Sequence, residues 1–140
     1  MSDNCYVTAK SYWDKVESTN NGMLGGFADL AEREEAQSLS FIKELAFTMN
    51  ASACDIGAGI GRITESVLSK RFQNISLVEQ NQSFLDQAGV NLTNNGLEIT
   101  RFTMCCVPLQ EWNGGDHCFD LIWAQWVLGY LNEGTFNTRR

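Results

Sequence analysis

The stretch Cys54-Asp55-Ile56-Gly57-Ala58-Gly59-Ile60-Gly61-Arg62-Ile63-Thr64 constrains this chain more than any other. Small apolar residues run into three alternating glycines and then into helical spacing, which reads as a strand, a tight turn and a helix start. Glycine at such a turn lets the backbone bend sharply, and lets a ligand approach main-chain N–H groups at the positive end of the next helix. The pattern is a cradle for a nucleotide-like group. A plain strand-to-helix connection can carry the same glycines, so the rest of the chain has to decide. The dinucleotide fingerprint G-x-G-x-x-G does not fit, because the third glycine comes one place early and Arg62 fills the sixth position.

Beyond this stretch strands and helices alternate. Ile63, Val67, Leu68 and Phe72 recur at helical intervals, and Lys70 and Arg71 close that helix with charges suited to its C-terminus. A strand follows at Ile75-Ser76-Leu77-Val78-Glu79, then a helix through Phe84, Leu85, Ala88 and Leu92 that stops at Asn94-Asn95-Gly96. Further strands run from Ile99 to Val107 and from Phe119 to Ala124. Strands separated by helices imply parallel pairing, so the expected architecture is doubly wound α/β. Upstream, Leu30, Leu39, Ile42 and Leu45 give the stretch from Asp29 to Phe47 an apolar helical face, with Glu32-Arg33-Glu34-Glu35 as its solvated side. The segment from Ser11 to Phe27, aromatic at one end and bracketed by glycines at the other, reads as a helix leading to a compact loop.

Composition narrows the function classes. A chain of 140 residues, 44% apolar and 19% charged, suits one soluble globular domain and has no room for two. No apolar run approaches the roughly 18 residues of a membrane span, and Met1-Ser2-Asp3-Asn4 is no signal peptide, so the expected setting is inside the cell. A net charge of −7 argues against a nucleic-acid partner and suits a cationic one. Cys5, Cys54, Cys105, Cys106 and Cys118 show no C-x-x-C spacing and His117 is the single histidine, so no metal site is expected. Cys105 and Cys106, adjacent on a strand, read as small buried residues on opposite faces. Glu79 ends its strand about 20 residues beyond Gly57, the spacing at which an acid receives ribose hydroxyls in doubly wound nucleotide folds.

Tyr12-Trp13, Gly22-Met23-Leu24-Gly25-Gly26, Asp55 with Gly57 to Thr64, Cys105-Cys106, Leu109-Gln110 and Ile122-Trp123-Ala124-Gln125-Trp126-Val127 follow in an order that resembles the α-N-terminal protein methyltransferases, from about residue 9 to 131. The resemblance implies a Rossmann-like methyltransferase fold, a mainly parallel sheet in a single partial domain. Residues 1–50 would form an N-terminal helical extension on the substrate side, and residues 51–140 the cofactor-binding half of the sheet. It further implies S-adenosylmethionine as cofactor, protein N-terminal tails of the X-Pro-Lys type as substrates, methylation of their α-amine, and a nuclear and cytoplasmic setting.

Position by position, the resemblance puts the methionine carboxylate of the cofactor near Gly57 and Arg62, where a guanidinium can make a bidentate contact. Glu79, with Gln80 and Asn81 behind it, would hold the ribose. Leu109 and Gln110 would flank the adenine, and Gln125 would close the cofactor side. Trp13, Leu24, Gly25 and Trp126 would surround the incoming tail, since aromatic walls suit a proline ring and a cationic amine. Tyr130 stands where the family commonly has His, and Glu79 where it commonly has Asp.

The same resemblance puts the family's catalytic Asn and Asp beyond Arg140, together with the next strand, so no catalytic residue is expected within the chain. The strand from Phe119 to Ala124 would then present an open apolar edge, expected to drive self-association and to leave the chain weakly stable alone. Two alternatives to an active methyltransferase follow. One is a truncated, non-catalytic form that retains at most cofactor or protein binding. The other is a nicotinamide-binding Rossmann protein, which the glycine spacing and Arg62 disfavour.

Overall fold

Alternation along four short strands sorts their side chains onto two faces of one sheet. In a computed structural model, which describes residues 3–132, these are β1 (Ser52–Ile56), β2 (Asn74–Glu79), β3 (Phe102–Cys106) and β4 (Leu121–Ala124). They lie in the order β3-β2-β1-β4, and every neighbouring pair is parallel. The inner strands β1 and β2 are apolar on both faces, as buried parallel strands must be. Ala53, Ile75 and Leu77 pack in the larger core with Ile42, Ile63, Leu85, Ala88 and Leu92. Those residues come from helices α3 (Ala31–Glu44), α4 (Arg62–Ser66) and α5 (Gln82–Asn94). Cys54, Ile56 and Val78 face the other way, where Val107, Leu109, Trp112 and Phe119 cover them.

Several elements differ in extent from the sequence reading. Helix α1 (Asp3–Trp13) ends where the expected helix was to be under way. The following segment holds only the single turn α2 (Asn20–Met23), capped by Thr19 Oγ1, which accepts the Gly22 N–H at 3.1 Å. Helix α4 breaks at Val67, whose φ of −122° is not helical, and Leu68–Lys70 continue as a 3-10 turn. Val67, Leu68 and Phe72 are nevertheless fully buried, so the apolar spacing located the core contacts correctly and overstated the helix.

Strand β3 begins at Phe102, because Ile99–Arg101 form a 3-10 turn that Arg101 pins to the carbonyls of Ser69 and Phe72 at 2.8 and 2.9 Å. Cys105 is half-buried and Cys106 exposed, which corrects the expectation of two buried thiols: β3 is an edge strand with less to cover it. Helix α5 ends as expected, with Gly96 at φ +76° and the Leu97 N–H returning to Leu92 O at 3.0 Å. Among the described residues no helix is long and apolar enough to cross a membrane, and no three His, Cys, Asp or Glu side chains cluster to hold a metal ion.

Candidate cofactor site

The carboxyl ends of β1, β2 and β4 meet where the chain order on either side of β1 reverses, the place where open parallel sheets take ligands. The turn after β1 is closed on itself. Gly57 and Ala58 both donate to Val78 O at 2.8 and 3.1 Å, Gly61 donates to Ala58 O at 2.9 Å, and Gly59 donates to Glu79 Oε2 at 3.0 Å. These N–H groups, expected to face a ligand, are therefore bonded within the protein. The glycines serve close approach instead. Gly57 sits at φ +71°, and a Cβ there would lie 2.5 Å from Val127 Cγ2, while a Cβ on Gly61 would lie 3.1 Å from Ala88 Cβ on α5.

Two carboxylates underlie the turn. Asp55 is buried and its Oδ2 accepts the Thr64 hydroxyl at 2.7 Å. Burial pushes its carboxyl up to about 6, while the Thr64 bond and the Arg62 charge hold it down. Glu79, at the end of β2, accepts Gly59 N–H on one oxygen and Asn81 N–H on the other, each at 3.0 Å. Burial raises this carboxyl too, against those backbone bonds.

Arg62 opens α4 with its side chain buried. Nη2 pairs with Glu34 Oε2 at 2.9 Å, Nη1 lies 3.7 Å from Glu35 Oε1, and Nη1 has no hydrogen-bond partner. This corrects half of the reading of Glu32 to Glu35 as a solvated side: Glu32 and Arg33 are exposed, whereas Glu34 and Glu35 turn inward because a buried guanidinium requires a counter-charge. Four-residue spacing puts Glu34 on the same face of α3 as Ser38 and Ile42, the two buried positions of that helix.

A cavity of about 130 Å³ opens between the turn and α1. Of the residues expected at a site, Gly57, Arg62, Glu79, Gln80, Gln125, Trp13 and Trp126 line it. Gln125 Oε1 accepts from Trp123 Nε1 at 3.0 Å, and Trp13 meets Phe84 and Tyr130 edge-on, with ring centroids 6.5 and 5.8 Å apart. Asn81, Leu109, Gln110, Leu24 and Gly25 stand outside the lining. Asn81 is buried at the start of α5 with its Nδ2 unpartnered, Leu109 packs in the smaller core, and Gln110 is half-buried in the following turn. Leu24 caps α2 and Gly25 is exposed at φ +59°.

The cavity also takes Asp55, Tyr6, Met23, Phe84, Val127 and Tyr130, which were not singled out as site residues. For Met23 the reason is steric: its Sδ lies 2.8 Å from where a Cβ on Gly59 would stand. Phe84 carried only a core signal.

Residues 1–138 match the family of AdoMet-dependent proline di-methyltransferases. The chain is 36% identical to the α N-terminal protein methyltransferase 1 of Arabidopsis thaliana, over 94% of this chain and 51% of that protein. It is 34% identical to the human N-terminal Xaa-Pro-Lys N-methyltransferase 1, over 91% of this chain and 59% of that one. The chain thus spans about half the length of the curated relatives it matches. Among solved structures, a SAM-dependent methyltransferase of Leishmania major superposes with a TM-score of 0.85 at 30% identity, over 94% of this chain and 52% of its own. A phosphoethanolamine N-methyltransferase of Haemonchus contortus superposes with a TM-score of 0.73 at 21% identity, over 96% and 27%, a likeness of fold.

Proposed function

Because the chain belongs to the AdoMet-dependent proline di-methyltransferase family, we propose that its glycine turn and Arg62 hold S-adenosylmethionine and that the protein methylates the α-amine of Xaa-Pro-Lys protein N-termini. S-adenosylmethionine is the cofactor of this family. One observation carries the reading: Arg62 lines the cavity with Nη1 buried and without a hydrogen bond. A buried donor left unpaired costs about 1–3 kcal/mol. A carboxylate in the cavity removes that cost through a charge-assisted bond, so the residues present fit the methionine end of the cofactor.

Bound there, the cofactor supplies a methyl group already activated on a sulfonium, which leaves alignment and amine deprotonation to the protein. Arg62 fixes the carboxylate end. Each oxygen of Glu79 keeps acceptor capacity beyond its backbone bond, enough to receive ribose hydroxyls. Trp13, Trp126 and Tyr130 line the same cavity and supply apolar walls for a proline ring. The α-amine ionises at roughly 7.7–8.0, so a modest desolvation suffices to keep it neutral for attack.

A second reading, cofactor binding without turnover, is favoured by one feature. Asp55 and Glu79 are both engaged in holding the turn, and no histidine lines the cavity, so no uncommitted base faces it among the described residues. Incubation with S-adenosylmethionine and a peptide beginning Xaa-Pro-Lys, read by mass spectrometry, decides between the two. Methyl gain on the free-amine peptide and none on its N-acetylated counterpart supports transfer. Saturable S-adenosylhomocysteine binding without gain supports the second reading, and neither result from a folded chain overturns both. We also propose that the free edge of β4 pairs with a second copy, since β4 has one neighbour among the described residues and exposes Ile122.

A further inference from the structure

The ion pair at Arg62 has a second branch. Glu34 accepts Arg62 Nη2 on Oε2 at 2.9 Å and Trp126 Nε1 on Oε1 at 2.6 Å. One carboxylate therefore joins the guanidinium beside the glycine turn to the indole that follows β4. Neighbouring contacts run the same way. Ser38 Oγ donates to Gln125 Oε1 at 3.5 Å, and the ring of Phe41 lies 6.1 Å from that of Trp123. Glu34, Ser38 and Phe41 share one face of α3 by their four- and three-residue spacing, and that face engages Trp123, Gln125 and Trp126.

Trp126 has φ +61°, the only positive φ outside glycine among the described residues. A left-handed conformation costs such a residue about 1–2 kcal/mol, and it persists only where the surroundings impose it. The bond from its indole to Glu34 is one such constraint, the more notable because the residue is otherwise 75% exposed.

We propose that Glu34 is a positioning residue that couples Arg62 to Trp126, so that a carboxylate arriving at Arg62 resets the indole wall of the cavity. The proposal rests on the cofactor reading above. A carboxylate shared between two donors cannot turn toward one without altering its bond to the other. Glu35 Oε1, 3.7 Å from Nη1, is the neighbouring group an incoming anion would meet. The coupling is reciprocal: whatever packs on Trp126 changes affinity at Arg62 by the same factor. Cofactor at Arg62 and a tail packed on Trp126 then each alter the other's affinity by that one factor, whichever binds first.

The indole N–H signals of the 15N-labelled chain test this, with Trp126 identified by the signal lost in Trp126→Phe. S-adenosylhomocysteine is expected to shift the Trp126 signal. Saturating 5′-methylthioadenosine, which lacks the amino-acid carboxylate, is expected to leave it in place, with the amides of the glycine turn reporting that each ligand is bound. In Glu34→Ala the S-adenosylhomocysteine shift is lost although the ligand still binds, and Glu34→Asp restores part of it. Equal indole shifts with both ligands, no indole shift with bound S-adenosylhomocysteine, or a shift that survives in Glu34→Ala overturns the coupling and leaves the cofactor site standing. If S-adenosylhomocysteine moves no signal at all, the cofactor reading falls and the coupling with it. Should Glu34→Ala not fold, the comparison of the two ligands on the unaltered chain decides alone.

Discussion

Gly59 donates its backbone N–H to Glu79 Oε2 at 3.0 Å, tying the turn after β1 to the last residue of β2. The other oxygen takes the Asn81 N–H at the start of α5. A single side chain thus fixes three elements around the cavity. Glu79→Gln keeps the shape but sets an amide NH₂ against a backbone donor. The expected loss is about 1–3 kcal/mol in urea unfolding, together with weaker S-adenosylhomocysteine binding. An unchanged unfolding midpoint would mean that the carboxylate does not organise the turn.

Asp55 gives stability a pH dependence of definite sign. Its carboxyl ionises at about 6 in the folded protein against an ordinary 3.8, so the folded state holds the proton more tightly than the unfolded chain. That contribution is full below about pH 4 and is lost as pH rises toward 6, a decline on the order of 3 kcal/mol. Thr64, Arg62 and Glu79 are the groups that face it. Unfolding free energies of the unaltered chain minus those of Asp55→Asn should fall across pH 4 to 6 and level off above. A difference that stays flat or rises would refute the assignment.

Two glycines should respond in opposite directions to alanine. In Gly57→Ala the new Cβ meets Val127 at 2.5 Å in a left-handed backbone, an overpacked position expected to lose about 1–3 kcal/mol. Gly89 lies inside α5 with open space where a Cβ would stand, so Gly89→Ala should gain about 0.5–1 kcal/mol. Thermal unfolding of both variants checks the contrast, and a stabilised Gly57→Ala would show that the turn is not closed by Val127.

Ile122 is 54% exposed on the edge strand β4. A lysine on such an edge disfavours pairing with another strand. Sedimentation velocity over a concentration series should find the unaltered chain self-associating and Ile122→Lys less so, with circular dichroism unchanged. Identical sedimentation of the two would remove β4 as the contact.

The core was legible because burial leaves a local mark: Ile75, Leu77, Leu85, Ala88 and Leu92 carry the periods of their elements in the sequence. Element ends were less so. Helix α4 stops at Val67 and β3 starts only at Phe102, since packing and the Arg101 bonds override a continuous apolar pattern. Glu34 was hidden for a different reason. An acidic run on a helix has the same local pattern whether it meets water or an arginine 28 positions away. Glu79 and Arg62 carried a local signal, one as the acid that ends the strand after the glycine turn and the other as the residue directly after the third glycine, although the partners of Arg62 on α3 did not. Leu109, Gln110, Leu24 and Gly25 had no local signal of a pocket, and they stand outside its lining.

The most direct test of the cofactor site is calorimetric titration of the 140-residue chain with S-adenosylhomocysteine, beside Arg62→Lys, which keeps the charge opposite Glu34 but removes the planar fork. Saturable binding at one site, weakened about tenfold or more in Arg62→Lys, is expected, as a charge-assisted pair contributes at least about 1.4 kcal/mol. No heat from a folded chain, or equal affinity in the two proteins, would contradict the assignment of the buried guanidinium to the cofactor.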